Sequence, residues 1–331
     1  MKQATFGRTG LKVSRLTFGC GAVGGLMTKG DAADQDYAVA WARDNGINFF
    51  DTAASYGDGA SESALGRALA GNTDGIIVST KVGLRADELA NADELVQRSL
   101  DASLQRLKLD HVDLFQFHNT IGASDPRGII TADRVLDAII PAFNKLREAG
   151  KTRFLGFTAK GDAAQLHQLV KSGAFDSAQI FYNLLVPSAG ESVDASYPAE
   201  DYGRLLHIAA QHGVGAIGVR VLAGGALSGV ETRHPLGMPH VSPIGSDTDY
   251  ATDVRRALRF QPLVDDGFAE SLPELAIRYV ISLSVLPTTE IGIANLEQLR
   301  VAANAVNRGP LPQEALDRVQ EIQRSLVTNP A

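Results

Sequence analysis

Three ionisable side chains end short apolar segments of this chain, and a tyrosine follows the first of them. Asp51 comes directly after an apolar run, and Lys81 and His118 each end another one. Tyr56 stands five residues after Asp51. A carboxylate, a phenol, an ammonium and an imidazole are groups that donate, accept and stabilise protons in acid–base catalysis. Brought together, these side chains would form a site for acid–base chemistry.

Each of these side chains alone also has a structural explanation. Asp51 could cap a helix, and Tyr56 could be a loop aromatic with a solvated hydroxyl. Lys81 could be a surface cation, and His118 a hydrogen-bonded core residue. The structural explanation weakens when the residues are taken together, because lysine is almost never buried unless it is paired, and Asp51 supplies a partner.

Strand-like and helix-like segments alternate along most of the chain and must position these residues. The eight predicted strands are residues 16–19, 47–51, 76–81, 112–118, 153–158, 178–182, 214–219 and 285–291. The predicted helices are residues 33–43, 61–69, 93–107, 132–149, 163–171, 202–211, 272–283 and 295–304. Such alternation predicts parallel strands joined by right-handed crossovers. Eight units predict an α/β fold of the closed (β/α)8 TIM-barrel type, as a single domain over residues 1–331.

Several segments lie outside the eight units. Residues 1–13 predict a β-hairpin that closes the bottom of the barrel, with its turn at Gly10. Residues 313–326 predict an extra amphipathic helix near the C-terminus. The long loops 186–201 and 228–253 both follow strands, so we expect them on the C-terminal face, where barrel active sites lie. The ends of the second, third and fourth strands should meet on the same face.

An open doubly wound sheet is the alternative architecture. Residues 19–24 match the letters G-x-G-x-x-G, which mark the phosphate-binding turn of such sheets. A single match of this kind is weak support. The count of eight strand–helix units favours the closed barrel.

Composition excludes several classes of function. Hydrophobic residues make up 44% and charged residues 21% of the 331 positions, an ordinary globular balance. The net charge of −7 and the lack of a basic cluster argue against nucleic acid and anionic membranes as partners. Cys20 is the only cysteine and the seven histidines lack metal-ligand spacing, so we expect no metal. No apolar run resembles a signal peptide or a membrane span, which leads us to expect a cytoplasmic protein.

Six short segments, read in order, resemble the signature motifs of the aldo-keto reductase superfamily. They are FDTAASYG at 50–57, SESALGRAL at 61–69, STK at 79–81, DLFQFH at 113–118, GKTRFLG at 150–156 and QIFYN at 179–183. The resemblance extends from about residue 6 to about residue 306. Ordered motifs over such a span are far more specific than any single motif.

The resemblance implies a catalytic tetrad of Asp51, Tyr56, Lys81 and His118. It also implies NADP(H) or NAD(H) as cofactor, without flavin or metal. Hydride transfer from the nicotinamide to a carbonyl carbon places negative charge on the oxygen, which Tyr56 would protonate as general acid. Lys81 would lower the pKa of Tyr56, and Asp51 would hold Lys81. His118 would hydrogen-bond and orient the carbonyl.

The resemblance also assigns residues to the nucleotide. Thr158 and Gln179 would hold the nicotinamide carboxamide, although Ala159 stands where the family usually has asparagine. Gln298 occupies the position where NADP(H)-binding members place a cation, which favours NAD(H) or a relaxed preference. Arg220 would contact the pyrophosphate or form a structural ion pair. The assigned residues are Gly19, Cys20, Asp51, Thr158, Gln179, Arg220, Leu222, Gly224, Gly225, Leu227, Gly292, Asn295 and Gln298.

Three functions agree with the sequence. The first is reduction of an aldehyde or ketone. The second is oxidation of an aldose at its anomeric carbon, which the patterns after the fifth and seventh strands and the polar Asn119 beside His118 favour by analogy. Asn119 could equally cap its loop. The third is a non-enzymatic nucleotide-binding subunit, as in channel-associated relatives. The substrate is therefore a small carbonyl or sugar, and the sequence does not select an oligomeric state.

Overall fold

Eight parallel strands close into a barrel in the computed structural model of the chain, which describes residues 1–124, 129–246 and 248–328. The strands are β1 (Gln3–Thr5), β2 (Lys12–Ser14), β3 (Leu16–Gly19), β4 (Phe49–Asp51), β5 (Ile77–Val82), β6 (Val112–Phe117), β7 (Thr120–Ile121), β8 (Thr152–Gly161), β9 (Ser177–Phe181), β10 (Gly215–Val219) and β11 (Thr288–Gly292). The barrel order is β6-β5-β4-β3-β11-β10-β9-β8, and pairing of β6 with β8 closes it. The predicted (β/α)8 fold is confirmed.

Helices surround the barrel. They are α1 (Leu26–Lys29), α2 (Ala32–Asp44), α3 (Ala60–Leu69), α4 (Ala92–Leu107), α5 (Ala132–Arg134), α6 (Ile140–Glu148), α7 (Ala163–Lys171), α8 (Leu205–Gln211), α9 (Tyr250–Leu258), α10 (Gln261–Asp265), α11 (Leu272–Ser282), α12 (Leu296–Arg308) and α13 (Gln313–Thr328). Short 3₁₀ segments lie at Gly7–Thr9, Ala86–Asn91 and Ala223–Ser228, and a π-helical turn lies at Val135–Ile139. Within the described residues, no helix is long and apolar enough to cross a membrane.

The helix α7 illustrates how local sequence sets these elements. The Asp162 side chain caps it by accepting from the Gln165 N–H at 3.0 Å. Leu166, Leu169 and Val170 are buried at the i, i+3, i+4 spacing of one helical face. The same face packs on the barrel, while the other positions meet solvent.

The structure differs from the sequence prediction at several element boundaries. The helix predicted at 202–211 begins at Leu205, after Arg204 in a left-handed conformation with φ of 58°. The helix predicted at 132–149 contains the π-helical turn. The loop predicted at 228–253 is wrong from Tyr250 onward, where α9 begins behind an Asp249 cap that accepts from the Thr252 N–H at 2.7 Å. Asp249, a residue type that often caps helix N-termini, was the sequence signal for this helix.

The N-terminal hairpin is confirmed and closes the bottom of the barrel. β1 and β2 pair antiparallel, with Gln3 opposite Ser14. Gly10 ends the connecting turn with φ of 71°. A small core beneath the polar interior contains Phe6, Val13, Phe49, Ile77, Leu114 and Ile217. The predicted extra C-terminal helix is α13, which buries Ala315, Val319 and Leu326.

Candidate active site

Strand alternation separates apolar from polar side chains at the C-terminal mouth of the barrel. Phe50 and Phe115 pack outward in the main core, whereas the flanking positions face the interior. The register pairs Asp51 with Ser79, and Lys81 with Gln116. Parallel strands therefore bring the ends of β4, β5 and β6 to one level.

Lys81 lies at the centre of the predicted tetrad. Its ammonium forms a salt bridge with Asp51, and both side chains are fully buried. Nζ also donates to the Thr52 carbonyl at 2.7 Å and to the Tyr56 hydroxyl oxygen at 3.1 Å. The structure thus brings together the carboxylate, the ammonium and the phenol, as the sequence predicts.

Two further side chains hold Asp51, and the sequence analysis missed both. Ser79 donates to Oδ1 of Asp51 through its hydroxyl. The Gln116 Nε2 donates to the same oxygen at 2.9 Å. Ser79 stands two residues before Lys81 and Gln116 two residues before His118, so each shares the interior face of its strand with a predicted site residue. Asp51 is fixed in position by these contacts and by Lys81.

His118 completes the predicted group from the end of β6. Its ring centroid lies 6.2 Å from that of Tyr56, with the two rings nearly perpendicular. Nδ1 lies 2.7 Å from the Thr158 hydroxyl oxygen. Burial, together with the charges of Lys81 and Lys160, lowers the pKa of His118 to about 3. The imidazole is therefore neutral around pH 7.

The pKa of Tyr56 corrects one sequence expectation. Burial raises it to about 12, and Asp51 and Glu290 add to that increase. The Lys81 ammonium acts in the predicted downward direction but is outweighed. Burial alone would lower the pKa of Lys81, but Asp51 and Tyr56 raise it above the ordinary lysine value. Tyr56 is thus a protonated phenol held against a permanent cation.

Glu290 is an acidic residue in the site that the sequence analysis did not select. Its Oε2 lies 2.8 Å from the Gln179 Nε2, and its carboxyl group also contacts that of Asp51. Burial and the neighbouring Asp51 raise the pKa of Glu290 well above its usual range. Its signal was a charged residue inside the predicted last strand, residues 285–291. The Thr158 Oγ1 lies 3.0 Å from the Gln179 Oε1, so both predicted carboxamide-binding residues are hydrogen-bonded within the protein.

The loop after β10 carries several predicted nucleotide residues in an unusual backbone conformation. Arg220, Ala223, Gly224 and Gly225 have φ values of 58°, 47°, 69° and 112°. Positive φ is costly for side chains other than glycine and clusters at functional sites. The Asn183 side chain holds this loop by donating to the Arg220 carbonyl at 2.9 Å.

A cavity of about 620 Å³ adjoins this loop, within the usual size range of ligand pockets. Its charged lining consists of two cations, Lys29 and Arg233, and one carboxylate, Glu231, with His234 and His240 beside them. The Arg233 guanidinium donates to the Gly224 carbonyl at 2.7 Å. None of these residues was assigned to the nucleotide from the sequence, because they come from two segments that are distant along the chain. Their chemistry fits the pyrophosphate of a dinucleotide.

The remaining predicted nucleotide residues lie at strand ends, in the loop after β10 and in the core. Gly19 and Gly292 pair across β3 and β11, and Leu222 is half-buried. The Cys20 side chain is fully buried in the core, as is Leu227, so contact with a ligand would involve their main chains.

At the start of α12, Asn295 caps the helix by accepting from the Gln298 N–H at 2.9 Å. The Gln298 side chain accepts from the Ala294 N–H at 2.8 Å, which places it at the helix N-terminus. Arg300, two residues further along the helix, lies over the ring of Trp41.

Asn119 has the loop-capping role rather than the role of a polar pocket wall. Its Nδ2 donates to the Leu84 carbonyl at 2.6 Å, and its Oδ1 accepts from the Leu84 N–H at 3.0 Å. Both ends of the amide are occupied by the backbone. The sequence also predicts that residues 119–127 line the substrate pocket, and of these residues 125–127 lie outside the described residues.

Among the residues that the structure describes, no group of three or more His, Cys, Asp or Glu side chains could hold a metal ion. The polar cluster at the mouth instead has one buried ion pair, a phenol and a neutral imidazole. These features, at the mouth of a closed (β/α)8 barrel, define a class of barrel proteins with a preorganised acid–base site.

Comparison with known proteins identifies the family. The sequence model of the Aldo/keto reductase family matches residues 15–324, so the chain belongs to this family of oxidoreductases. A solved aldo-keto reductase from Bacillus halodurans, in its holo form, superposes with a TM-score of 0.71 and is 25% identical. The match covers 97% of this chain and 96% of that one.

Relatives with different names match the chain. An L-galactose dehydrogenase of Arabidopsis thaliana is 40% identical over 158 residues, a match that spans 46% of this chain and 46% of the plant protein. An NADH-specific methylglyoxal reductase of Escherichia coli is 26% identical over 93% of this chain and 94% of its own length. A probable voltage-gated potassium channel subunit beta of Arabidopsis thaliana is 25% identical, and the match covers 100% of this chain and 99% of that protein.

Proposed function

We propose that this protein reversibly reduces an aldehyde or ketone to an alcohol with NAD(P)H, using Tyr56 as general acid and base. One observation carries the proposal: the Tyr56 hydroxyl lies 3.1 Å from an ammonium that is itself paired with a buried carboxylate. A buried cation at that distance stabilises the phenolate that forms when Tyr56 gives up its proton. Family membership supports the same chemistry.

The residues divide the work between proton transfer and orientation. The bound nicotinamide supplies the hydride that reduces the carbonyl carbon. Tyr56 delivers a proton to the carbonyl oxygen, and Lys81 offsets the charge left on the phenol. Asp51 keeps Lys81 in place, while His118 donates a hydrogen bond to the same oxygen. In the oxidative direction, the Tyr56 phenolate removes the hydroxyl proton.

For the nucleotide, we propose that the cation-lined cavity beside Gly224 and Gly225 holds the pyrophosphate. Arg233 and Lys29 provide the positive charge. Thr158 and Gln179 would hold the carboxamide through the hydrogen-bonding capacity they retain. Gln298 at the adenosine end lacks the charge that a 2′-phosphate prefers, which supports NAD(H) or a relaxed preference.

Oxidation of an aldose is the second candidate. The match to an L-galactose dehydrogenase at 40% identity favours it, and the methylglyoxal reductase match favours reduction. A non-enzymatic nucleotide-binding subunit is the third candidate, in line with the channel-subunit relative. The described tetrad favours an enzyme, because the complete acid–base group is assembled.

Nicotinamide absorbance, followed with NADH, NADPH and both oxidised forms against aldehydes and free aldoses, tests these candidates. We expect turnover with a carbonyl or an aldose, and a loss of roughly 10²- to 10⁴-fold in Tyr56→Phe, the range for a removed general acid. Tyr37→Phe is the matched control, because Tyr37 is 56% exposed on α2. Faster oxidation of aldoses than reduction of carbonyls would select the second candidate.

Nucleotide affinity, measured by fluorescence titration, completes the test. We expect Tyr56→Phe to bind the nucleotide as the parent protein does. Tight binding without turnover on any substrate of the panel would favour the non-enzymatic subunit. Full activity in Tyr56→Phe would overturn the assignment of the proton donor.

A further inference from the structure

A continuous chain of hydrogen-bonding groups connects His118 to Glu290 across the mouth of the barrel. The His118 Nδ1 lies 2.7 Å from the Thr158 Oγ1, which lies 3.0 Å from the Gln179 Oε1. The Gln179 Nε2 lies 2.8 Å from the Glu290 Oε2. Thr158 and Gln179 are 5% and 3% exposed, so water does not readily replace these contacts.

Two arrangements of hydrogen atoms satisfy this chain. Thr158 has one hydroxyl hydrogen and can donate to only one of its two partners. If it donates to Gln179, the His118 Nδ1 must carry the hydrogen of the neutral ring, and Nε2 has none. The Gln179 amide then donates to Glu290.

In the opposite arrangement, Thr158 donates to the His118 Nδ1. The Gln179 amide is turned by half a revolution, which exchanges its oxygen and nitrogen at nearly the same positions. Its NH2 group donates to Thr158, and its oxygen must accept a hydrogen from Glu290. This arrangement needs a protonated Glu290 and leaves the hydrogen of His118 on Nε2.

We propose that Glu290 is a positioning residue that, as a neutral acid donating to Gln179, directs this chain and sets the tautomer of His118. The proposal rests on the proposed function, in which His118 donates to the substrate oxygen. Only the Nε2–H tautomer can do so, because Nδ1 is occupied by Thr158. Nε2 has no hydrogen-bond partner among the described residues.

The surroundings of Glu290 favour its neutral form. The groups that face it are the carboxylate of Asp51 on β4, the ammonium of Lys81 on β5, the phenol of Tyr56 and the thiol of Cys20. Lys81 is the cation among them and is already paired with Asp51. A second carboxylate would add an unpaired charge, which the raised pKa of Glu290 also reflects.

The contact with Asp51 provides a competing place for the Glu290 proton. If that proton points to Asp51, Gln179 donates to Glu290 and His118 carries its hydrogen on Nδ1. The two arrangements therefore differ in one observable quantity, the tautomer of the His118 ring.

Long-range ¹H–¹⁵N correlation spectra of nucleotide-free protein labelled with ¹⁵N-histidine measure this tautomer. Of the seven histidines, His118 is assigned by the signal that disappears in His118→Gln. We expect the Nε2–H tautomer at neutral pH, converting to Nδ1–H as rising pH ionises Glu290. An Nδ1–H ring at neutral pH overturns the proposal.

Two variants distinguish a hydrogen-bond chain directed by Glu290 from a general structural effect of the substitutions. Thr158→Val conserves side-chain shape and cuts the chain, so the pH-dependent conversion should disappear. Glu290→Leu should abolish the same conversion, and circular dichroism checks the folding of both variants. A conversion that persists in folded Glu290→Leu overturns the role of Glu290. These spectra need no turnover, so they can contradict the role of Glu290 whether or not the proposed function is correct.

Kinetics provide a second readout. We expect kcat of Glu290→Leu to fall by up to roughly 10²-fold, the scale of losing one donor to the developing oxyanion. If Glu290 acts through Thr158, the double variant that combines Thr158→Val with Glu290→Leu should show no lower kcat than Thr158→Val alone. Additive losses would instead mean that the two residues act separately.

Discussion

At the scale of single residues, the site depends on one buried ion pair. Lys81 and Asp51 are both inaccessible to solvent, and Lys81 also contacts the Tyr56 hydroxyl. A buried pair contributes little net stability, but removing one partner leaves an uncompensated buried charge. The pair therefore couples the chemistry of Tyr56 to the stability of the fold.

The variant Lys81→Met tests this coupling. We expect a loss of about 3–5 kcal/mol in the free energy of unfolding, because the Asp51 carboxylate remains buried without its cation. Urea unfolding followed by circular dichroism measures it. Lys145→Met is the control, since the Lys145–Asp93 pair is largely exposed and should contribute at most about 1 kcal/mol. Equal losses in the two variants would contradict the buried-pair argument.

At the scale of elements, residues 231–242, which form most of the wall of the cation-lined cavity, lie against the start of α1. Gly25 precedes this helix with φ of 91°, and a Cβ atom there would lie 1.9 Å from the Leu236 carbonyl oxygen. Glycine is therefore required for two reasons, backbone conformation and close approach. The shape of the proposed pyrophosphate site depends on that contact.

The substitution Gly25→Ala should displace the segment around Leu236. We expect lower stability and a nucleotide affinity reduced by roughly tenfold or more, because the lining of the cavity moves. Gly71→Ala is the matched control, since Gly71 also has positive φ, of 76°, but open space around its Cβ position. It should lose only about 1–2 kcal/mol of stability, the cost of left-handed backbone, and keep nucleotide affinity. Isothermal titration with NADH and NADPH distinguishes the two variants.

At the scale of the whole molecule, the small hairpin core and the polar cluster lie at opposite ends of the barrel. The hairpin residue Phe6 is 1% exposed and packs edge-on against Phe49, with ring centroids 5.7 Å apart. The polar cluster lies at the other end of the same strands. The geometry at the mouth should therefore not depend on contact with the hairpin at the bottom of the barrel.

We expect Phe6→Ala to destabilise the protein by about 3–5 kcal/mol, as for other large-to-small core substitutions. The folded fraction should keep the kcat of the parent protein. Leu258→Ala, at a 46% exposed position, should change stability by about 0.5 kcal/mol or less. Thermal unfolding and active-site titration give the two quantities. A lower kcat per folded molecule in Phe6→Ala would show that the two ends are coupled.

The barrel, the hairpin and the grouping of Asp51, Tyr56, Lys81 and His118 follow from the order of residues along the chain. Periodicity sets which segments form strands and which residue ends each one, and parallel strands end on one face. These are local properties of the chain, so they can be read before the fold is known. The loop residues from Tyr250 onward were the main error, where a short capped helix lay inside a polar segment.

The environment of those residues, in contrast, follows from their three-dimensional arrangement alone. Glu290 meets Gln179 although they are 111 positions apart, because closure of the barrel and the register of its strands bring them together. The pKa of Tyr56 rises to about 12 because burial outweighs the neighbouring cation, a balance that depends on three-dimensional packing. The cation-lined cavity likewise joins Lys29 to Arg233 from distant segments. Sequence spacing cannot supply such contacts, since they depend on how separate elements are placed in space.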